Sequence, residues 1–430
     1  MNMSDNKRKL GFFSIVLLGI NAIIGSGIFL LPSAGMKAFG PASILVLFFD
    51  AILAFMIGMC FAECSGLFDE TGGAYIYAKK AFGNFVGYEV GIAAWAIRII
   101  AEATMYVAFA TALGGFFPAL NNTMSKNIVV TVVAILLMAL NLFGVRATSI
   151  LSNVVTVGKL LPILLIIIVG LFFIHPANFH PFFIPELTNP GNFSSAALTL
   201  FYIFTGVEGL VVTAGEMSNV KKNLPKAIMV VLTTVTIIYA LIMVVCIGVL
   251  GSNLSNTSVP LQAAFTAMIG KIGGQIIVIG SLLSIGGICM ASAFITPRST
   301  VALAKNGILP KFFAKTTDKN TPYISIIINA VLILLLSYSG TFTYLAQISA
   351  ISRFAQFIPT ILAVMVFRKK MKDADRAFKL PFGPVIPIIA LIVSFWLIFN
   401  TKLNLLIFGF GALVIAIPFY LLTSTYRNRN

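Results

Sequence analysis

Runs of about twenty or more apolar residues, separated by short polar connections, recur along the whole 430-residue chain. This feature limits the fold more than any other. About 20 apolar residues are what an α-helix needs to cross the hydrocarbon core of a bilayer. A water-soluble fold would have to hide these runs in a core, and the composition forbids it. Hydrophobic residues make up 59% of the chain and charged residues only 10%, whereas soluble domains carry about 25% charged residues. A mean hydropathy of +1.01 agrees. The chain is therefore expected to be an all-α, polytopic membrane protein.

Twelve runs can be traced, at about 11–36, 41–66, 85–117, 127–144, 150–174, 194–216, 227–250, 273–298, 322–339, 343–367, 382–399 and 403–423. Charge tests this map, because cytoplasmic loops are enriched in Lys and Arg. With the N-terminus inside, 22 of the 29 basic residues fall on the cytoplasmic side. Only Lys37, Lys126, Lys271 and Lys402 fall outside, and Arg98, Lys159 and Arg353 lie within runs. A miscounted run would scramble this alternation, so twelve spans with both termini cytoplasmic are expected. The net charge of +16 then reflects topology, and nucleic acid is not an expected partner.

The first run, preceded by Lys7, Arg8 and Lys9, is too long for the apolar region of a cleaved signal and reads as a span. Cys60, Cys64, Cys246 and Cys289 all sit inside runs without paired spacing, and His175 and His180 share a loop with the single acid Glu186. No disulfide, metal site or cofactor is expected.

Two runs are interrupted at their middles. The first contains Gly25-Ser26-Gly27, and the sixth reads Phe204-Thr205-Gly206-Val207-Glu208-Gly209. Glycine weakens a helix and exposes backbone groups, which hydrocarbon tolerates only where they line a cavity or meet a ligand. A close helix-packing point explains the first interruption equally well. Taken together, two interrupted spans in oppositely oriented five-helix units indicate an inverted repeat, the architecture of a secondary transporter with a midplane site. The repeats are expected over 1–182 and 183–370, with 371–430 adding two helices and a cytoplasmic tail. Amides freed near Gly27 suit a carboxylate. Carbonyls freed near Ile23, Ile24 and Phe204 suit an ammonium, so the backbone alone could recognise an amino acid.

At these residues the chain resembles the amino acid–polyamine–organocation transporters. Gly25-Ser26-Gly27-Ile28-Phe29 resembles their GSGIF signature, and the sixth run resembles their F-x-G-x-E pattern. Glu216-Met217-Ser218-Asn219-Val220-Lys221-Lys222-Asn223-Leu224-Pro225-Lys226 is similar to their E-x-x-N-P-x-x-N-I-P-x-A, with Val220 in place of the usual proline. Gly72-Gly73-Ala74-Tyr75 and Asn306-Gly307-Ile308-Leu309-Pro310 also fit. The resemblance implies the leucine-transporter fold and alternating access for amino acids or related amines. It implies a substrate site at Ile24, Gly25, Ser26, Gly27, Tyr202, Phe204 and Thr205. Tyr202 would be an aromatic lid over the substrate; it could equally be a packing ring.

Ionisable groups inside a span are costly and default to functional roles. By resemblance, the Lys159 ammonium occupies the place that sodium takes in sodium-coupled relatives; the alternative is a lysine snorkelling to the interface. Glu208 matches a glutamate linked to proton or substrate response, or it caps the broken helix. Arg98 and Glu102, four apart, can pair, either as a self-neutralising structural pair or as a specificity element. The expected function is sodium-independent transport of amino acids across the plasma membrane, by proton symport or by exchange. An amino acid/amine antiporter is the alternative. A membrane enzyme would need a clustered nucleophile and base or a metal, and a channel a repeated pore motif; neither is visible. The expected partners are the substrate, protons and the lipid bilayer.

Overall fold

A computed structural model describes the backbone of residues 11–427 apart from 69–71, 144–148, 213–219, 319, 375 and 377; the side chains of 149–157, 211–212, 220–222 and 422–427 are also outside it. Lys7, Arg8 and Lys9, and Glu216 to Asn219 of the sequence motif, lie outside the described residues.

Among the described residues every regular element is helical. The first half comprises α1 (Phe12–Ile23), α2 (Ser26–Leu30), α3 (Pro32–Phe39), α4 (Ser43–Ser65), α5 (Ala74–Phe82), α6 (Asn84–Phe116), α7 (Thr123–Leu142) and α8 (Ser149–Gly170). The second comprises α9 (Pro190–Phe201), α10 (Val207–Val212), α11 (Val220–Leu250), α12 (Pro260–Lys305), α13 (Tyr323–Ser337), α14 (Phe342–Ser352), α15 (Phe354–Lys370), α16 (Val385–Phe399) and α17 (Leu403–Arg427).

Local chemistry sets several boundaries. Asn122 and Asn189 cap α7 and α9 by accepting the backbone N–H groups of Ser125 at 2.8 Å and Asn192 at 2.9 Å. Pro190 follows at the first position of α9, where its missing N–H costs nothing. Gly40, at φ 65°, separates α3 from α4. Ile269 and Gly270 are non-helical, so α12 is two helical pieces joined at a glycine.

Among the described residues, eight stretches are long and apolar enough to cross a membrane: 32–65, 84–116, 123–142, 190–210, 223–256, 260–305, 342–370 and 403–421. The helices over Phe12–Ile23, Tyr323–Ser337 and Val385–Phe399 are apolar but shorter, and the described side chains of the 22-residue α8 begin only at Gly158. A 15-residue helix rises only about 22 Å, short of a hydrocarbon core about 30 Å thick. The chain is a polytopic helical membrane protein. Phe13, Phe172 and Phe399, each at least 80% exposed, sit on faces that suit lipid.

One apolar core runs through the molecule from Ile15 on α1 to Leu405 on α17. At its middle α12 packs on α6 and α8, while α4 packs on α9 and α11. Small residues permit the close crossings. A Cβ on Gly91 would lie 2.8 Å from Ile308, and one on Gly58 would lie 3.1 Å from Ile228. At one end Glu63, 1% exposed, ties α4 to the far end of α15. It accepts Arg368 Nε at 2.7 Å and the Leu380 N–H at 2.8 Å, with Arg376 at 3.6 Å.

Candidate functional site

Both sequence interruptions are real breaks. α1 stops at Ile23; Ile24 is extended at φ −69°, ψ 99°, and the helix restarts at Ser26. α9 stops at Phe201, passes through a turn over Tyr202–Phe204 and an extended Thr205, and restarts as α10 at Val207. Gly206 adopts φ 114°. A Cβ there would lie 2.7 Å from the carbonyl oxygen of Ala22, so only glycine fits both the conformation and the approach to α1. The two breaks therefore touch.

A helix that stops in the interior leaves carbonyls to be satisfied, and side chains from distant spans do this for α1. Lys159 Nζ, on α8, donates to Asn21 O at 2.6 Å and to Ile24 O at 2.9 Å. Tyr239 Oη, on α11, donates to Ile23 O at 3.2 Å. Lys159 is 1% exposed, so it does not snorkel. Its two acceptors thus lie in the last turn of α1 and at the residue that ends it.

Across the breaks, Ser26 Oγ and Tyr202 Oη share a hydrogen bond of 3.2 Å. The Tyr202 ring meets Phe342 edge-on at 6.0 Å, and Phe204 meets Tyr239 at 5.7 Å. Thr205 Oγ1 turns back to Tyr202 O at 2.7 Å. Ile24, Ser26, Gly27, Tyr202 and Phe204 are all buried. The expected substrate residues are thus brought together at one place.

The two glycines of the first break differ. A Cβ on Gly27 would lie 2.8 Å from Ile203 and 3.0 Å from the Tyr202 ring, so Gly27 is a close-packing position. A Cβ on Gly25 would find nothing nearer than Ile23 O and Ile288 Cδ1 at 3.8 Å and Met105 Cε at 3.9 Å. Gly25 therefore has room for a Cβ, bounded by the Ile23 carbonyl, by Met105 on α6 and by Ile288 on α12. Sequence reasoning gave Met105 and Ile288 no part, because nothing local marks them.

The glutamate of the sixth run, on α10, is tied twice. Glu208 Oε2 accepts the Gly206 N–H at 2.9 Å, and Oε1 pairs with Arg353 Nη1. It does cap the break, and it also has a cationic partner that sequence spacing could not reveal. Arg98 and Glu102, by contrast, form no ion pair. Glu102 is buried and accepts from Tyr106 Oη at 2.8 Å and from Thr296 Oγ1, on α12, at 2.8 Å. Neutral hydroxyl donors one turn away and across the helix interface displaced the expected partner.

Comparison with known proteins gives the family. Residues 10–418 match the family model described as amino acid permease. The serine/threonine exchanger SteT of Bacillus subtilis is 30% identical over 424 residues, covering 94% of each chain. The branched-chain amino acid permease BcaP of the same organism is 28% identical over 412 residues, covering 92% of this chain and 88% of its own. The Bacillus subtilis methylthioribose transporter is 27% identical over 409 residues, covering 91% and 88%.

Proposed function

The chain belongs to the amino acid permease family of amino acid–polyamine–organocation transporters, and from that premise we propose that it moves neutral amino acids across the plasma membrane by sodium-independent alternating access. The observation that carries this reading is the meeting of two interrupted helices at buried Ser26 and Tyr202. Backbone groups freed at such breaks complement the carboxylate and ammonium shared by all amino acids. Apolar Met105 and Ile288 beside Gly25 favour a neutral side chain. Relatives named for serine/threonine and branched-chain substrates favour the same class.

The repeat is read over 1–182 and 183–370, and 371–430 supplies two further helices. The breaks at Ile24–Gly25 and Thr205–Gly206 support this, since each replaces helical residues by an extended one beside a glycine. Twelve spans follow if α1, α8, α13 and α16 also cross, with both termini cytoplasmic. Ile24, Gly25, Ser26, Gly27, Tyr202, Phe204 and Thr205 form the substrate site, and Tyr202 is its lid. Lys159 fills the place of a coupling cation by holding the end of α1, which supports coupling to protons or to exchange rather than to sodium.

The test is uptake of labelled amino acids into proteoliposomes, with methylthioribose in the panel. It is run with and without an internal amino acid, with a pH gradient, and with choline replacing sodium. Uptake of a neutral amino acid that survives the choline exchange is expected. Loss of uptake in choline at constant pH gradient would refute sodium independence. Uptake that requires an internal amine would make the protein an amine antiporter instead.

A further inference from the structure

Arg353 stands at the joint between α14 and α15 and belongs to neither. Its side chain is 11% exposed and pairs with Glu208. Glu208 holds the Gly206 N–H at 2.9 Å with its other oxygen. Gly206 in turn lies against Ala22 at the end of α1. A continuous line of contacts thus runs from the α14–α15 joint, through the α9–α10 break, onto the broken end of α1. Lys159 holds that same end through Asn21 and Ile24.

We propose that Arg353 is the permanent counter-ion of Glu208, and that the pair clamps the α9–α10 break, so that Glu208 works as a fixed carboxylate and not as the carrier of the coupling proton. This rests on the transport reading above and deepens it. A proton on Glu208 would leave the Arg353 cation buried without a partner. Its Nε already lacks one. Breaking one side of a buried pair is far more costly than removing both sides. Glu208 therefore stays ionised while the clamp is closed.

Among the described residues, Arg353 is ion-paired with no carboxylate besides Glu208. α10 packs on α1, α4 and α11. α1 carries no titratable side chain. On α4 Glu63 is engaged by Arg368, and no described hydrogen-bond donor reaches buried Asp50; Cys60 and Cys64 are the other titratable groups. The Tyr239 hydroxyl on α11 is committed to Ile23 O, leaving Lys226 and Cys246 there. Facing α14 and α15, α6 presents Arg98, with Glu102 and Tyr106 bonded to each other, and Tyr202 is bonded to Ser26.

The test is a double-mutant cycle in full-length protein: Glu208→Gln, Arg353→Gln and both together. The amide introduced by Glu208→Gln keeps an acceptor for the Gly206 N–H, so the cycle removes charge and little else. Melting temperature is read in detergent, and uptake against pH in proteoliposomes. Each single substitution is expected to lower the melting temperature and to slow uptake by about tenfold. The double variant recovers most of both and keeps the wild-type pH profile. Arg353→Lys retains part of the rate. Wild-type uptake with a flattened pH profile in Glu208→Gln would overturn the proposal, as would a double variant no better than the two losses combined. Where a single variant does not fold, a folded double supports the clamp and an unfolded double overturns it. Should the wild type transport no amino acid, the transport reading fails, and the melting-temperature cycle alone decides the clamp.

Discussion

Replacing Lys159 by methionine keeps the volume of the side chain and deletes its charge. The ammonium makes two hydrogen bonds to the end of α1, at 2.6 and 2.9 Å. Hydrogen bonds to a charged group contribute about 1.5–3 kcal/mol each. Removing the charge also removes the cost of burying it, so the net loss is smaller than the sum, about 2–4 kcal/mol. That loss falls on whichever access state holds α1 against α8. At tenfold per 1.4 kcal/mol it shifts the balance of states by about 30- to 1,000-fold. Uptake by Lys159→Met in proteoliposomes should fall at least 30-fold on this reckoning. Equilibrium binding of the same substrate should weaken far less, because the substrate contacts come from other atoms. Lys159→Arg should also be poor, since a planar fork cannot replace a compact charge in a site that is 1% exposed. Uptake within about twofold of wild type in a folded Lys159→Met protein would refute the reasoning.

Three further outcomes are expected. Gly25→Leu fills the space beside Met105 and Ile288 and abolishes substrate binding in folded protein, whereas Gly27→Leu collides with Tyr202 and Ile203 and lowers the melting temperature; binding measurements on both variants check the contrast. Tyr202→Phe removes the hydrogen bond to Ser26, worth about 0.5–1.5 kcal/mol, and should raise KM several-fold while leaving the melting temperature nearly unchanged. Arg98→Ala and Glu102→Ala, which share no ion pair but sit one turn apart on α6, should each lower the melting temperature, with at most partial recovery in the double variant; full recovery would restore the pair that the structure lacks.

The helical class, the two breaks and the cluster around Ser26 and Tyr202 were legible because hydropathy and glycine act locally. Lys159 was legible for the same reason: one cation inside an apolar run demands an acceptor. What escaped the sequence depends on distance or on weak amphipathicity. Arg353 and Glu208 are 145 residues apart, and no spacing rule joins them. The same holds for Tyr239 and α1. Arg98 and Glu102 looked like partners because a four-residue spacing makes pairing possible, but hydroxyl donors on α6 and α12 were geometrically better placed. α5 falls between the apolar runs because nine residues with buried Tyr77, Ala78 and Ala81 beside Lys79 and Lys80 give only a short stripe. The stretch 260–269 was missed because Gly270 ends it before it reaches the apolar run that follows.

The buried ammonium also bears on how the chain is assembled. A lysine near the centre of a helix raises the free energy of membrane insertion by about 2.5–3.5 kcal/mol. Its acceptors belong to a segment synthesised 138 and 135 residues earlier. At about 5–20 residues per second, the end of α1 is exposed for on the order of ten seconds before α8 emerges. During that interval its free carbonyls have neither Lys159 nor Tyr239 to receive. The nascent helix must therefore be kept beside the insertion machinery, out of bulk lipid, until its distant partners arrive. The break proposed to receive substrate in the finished protein is thus also the point at which biogenesis is most open to error.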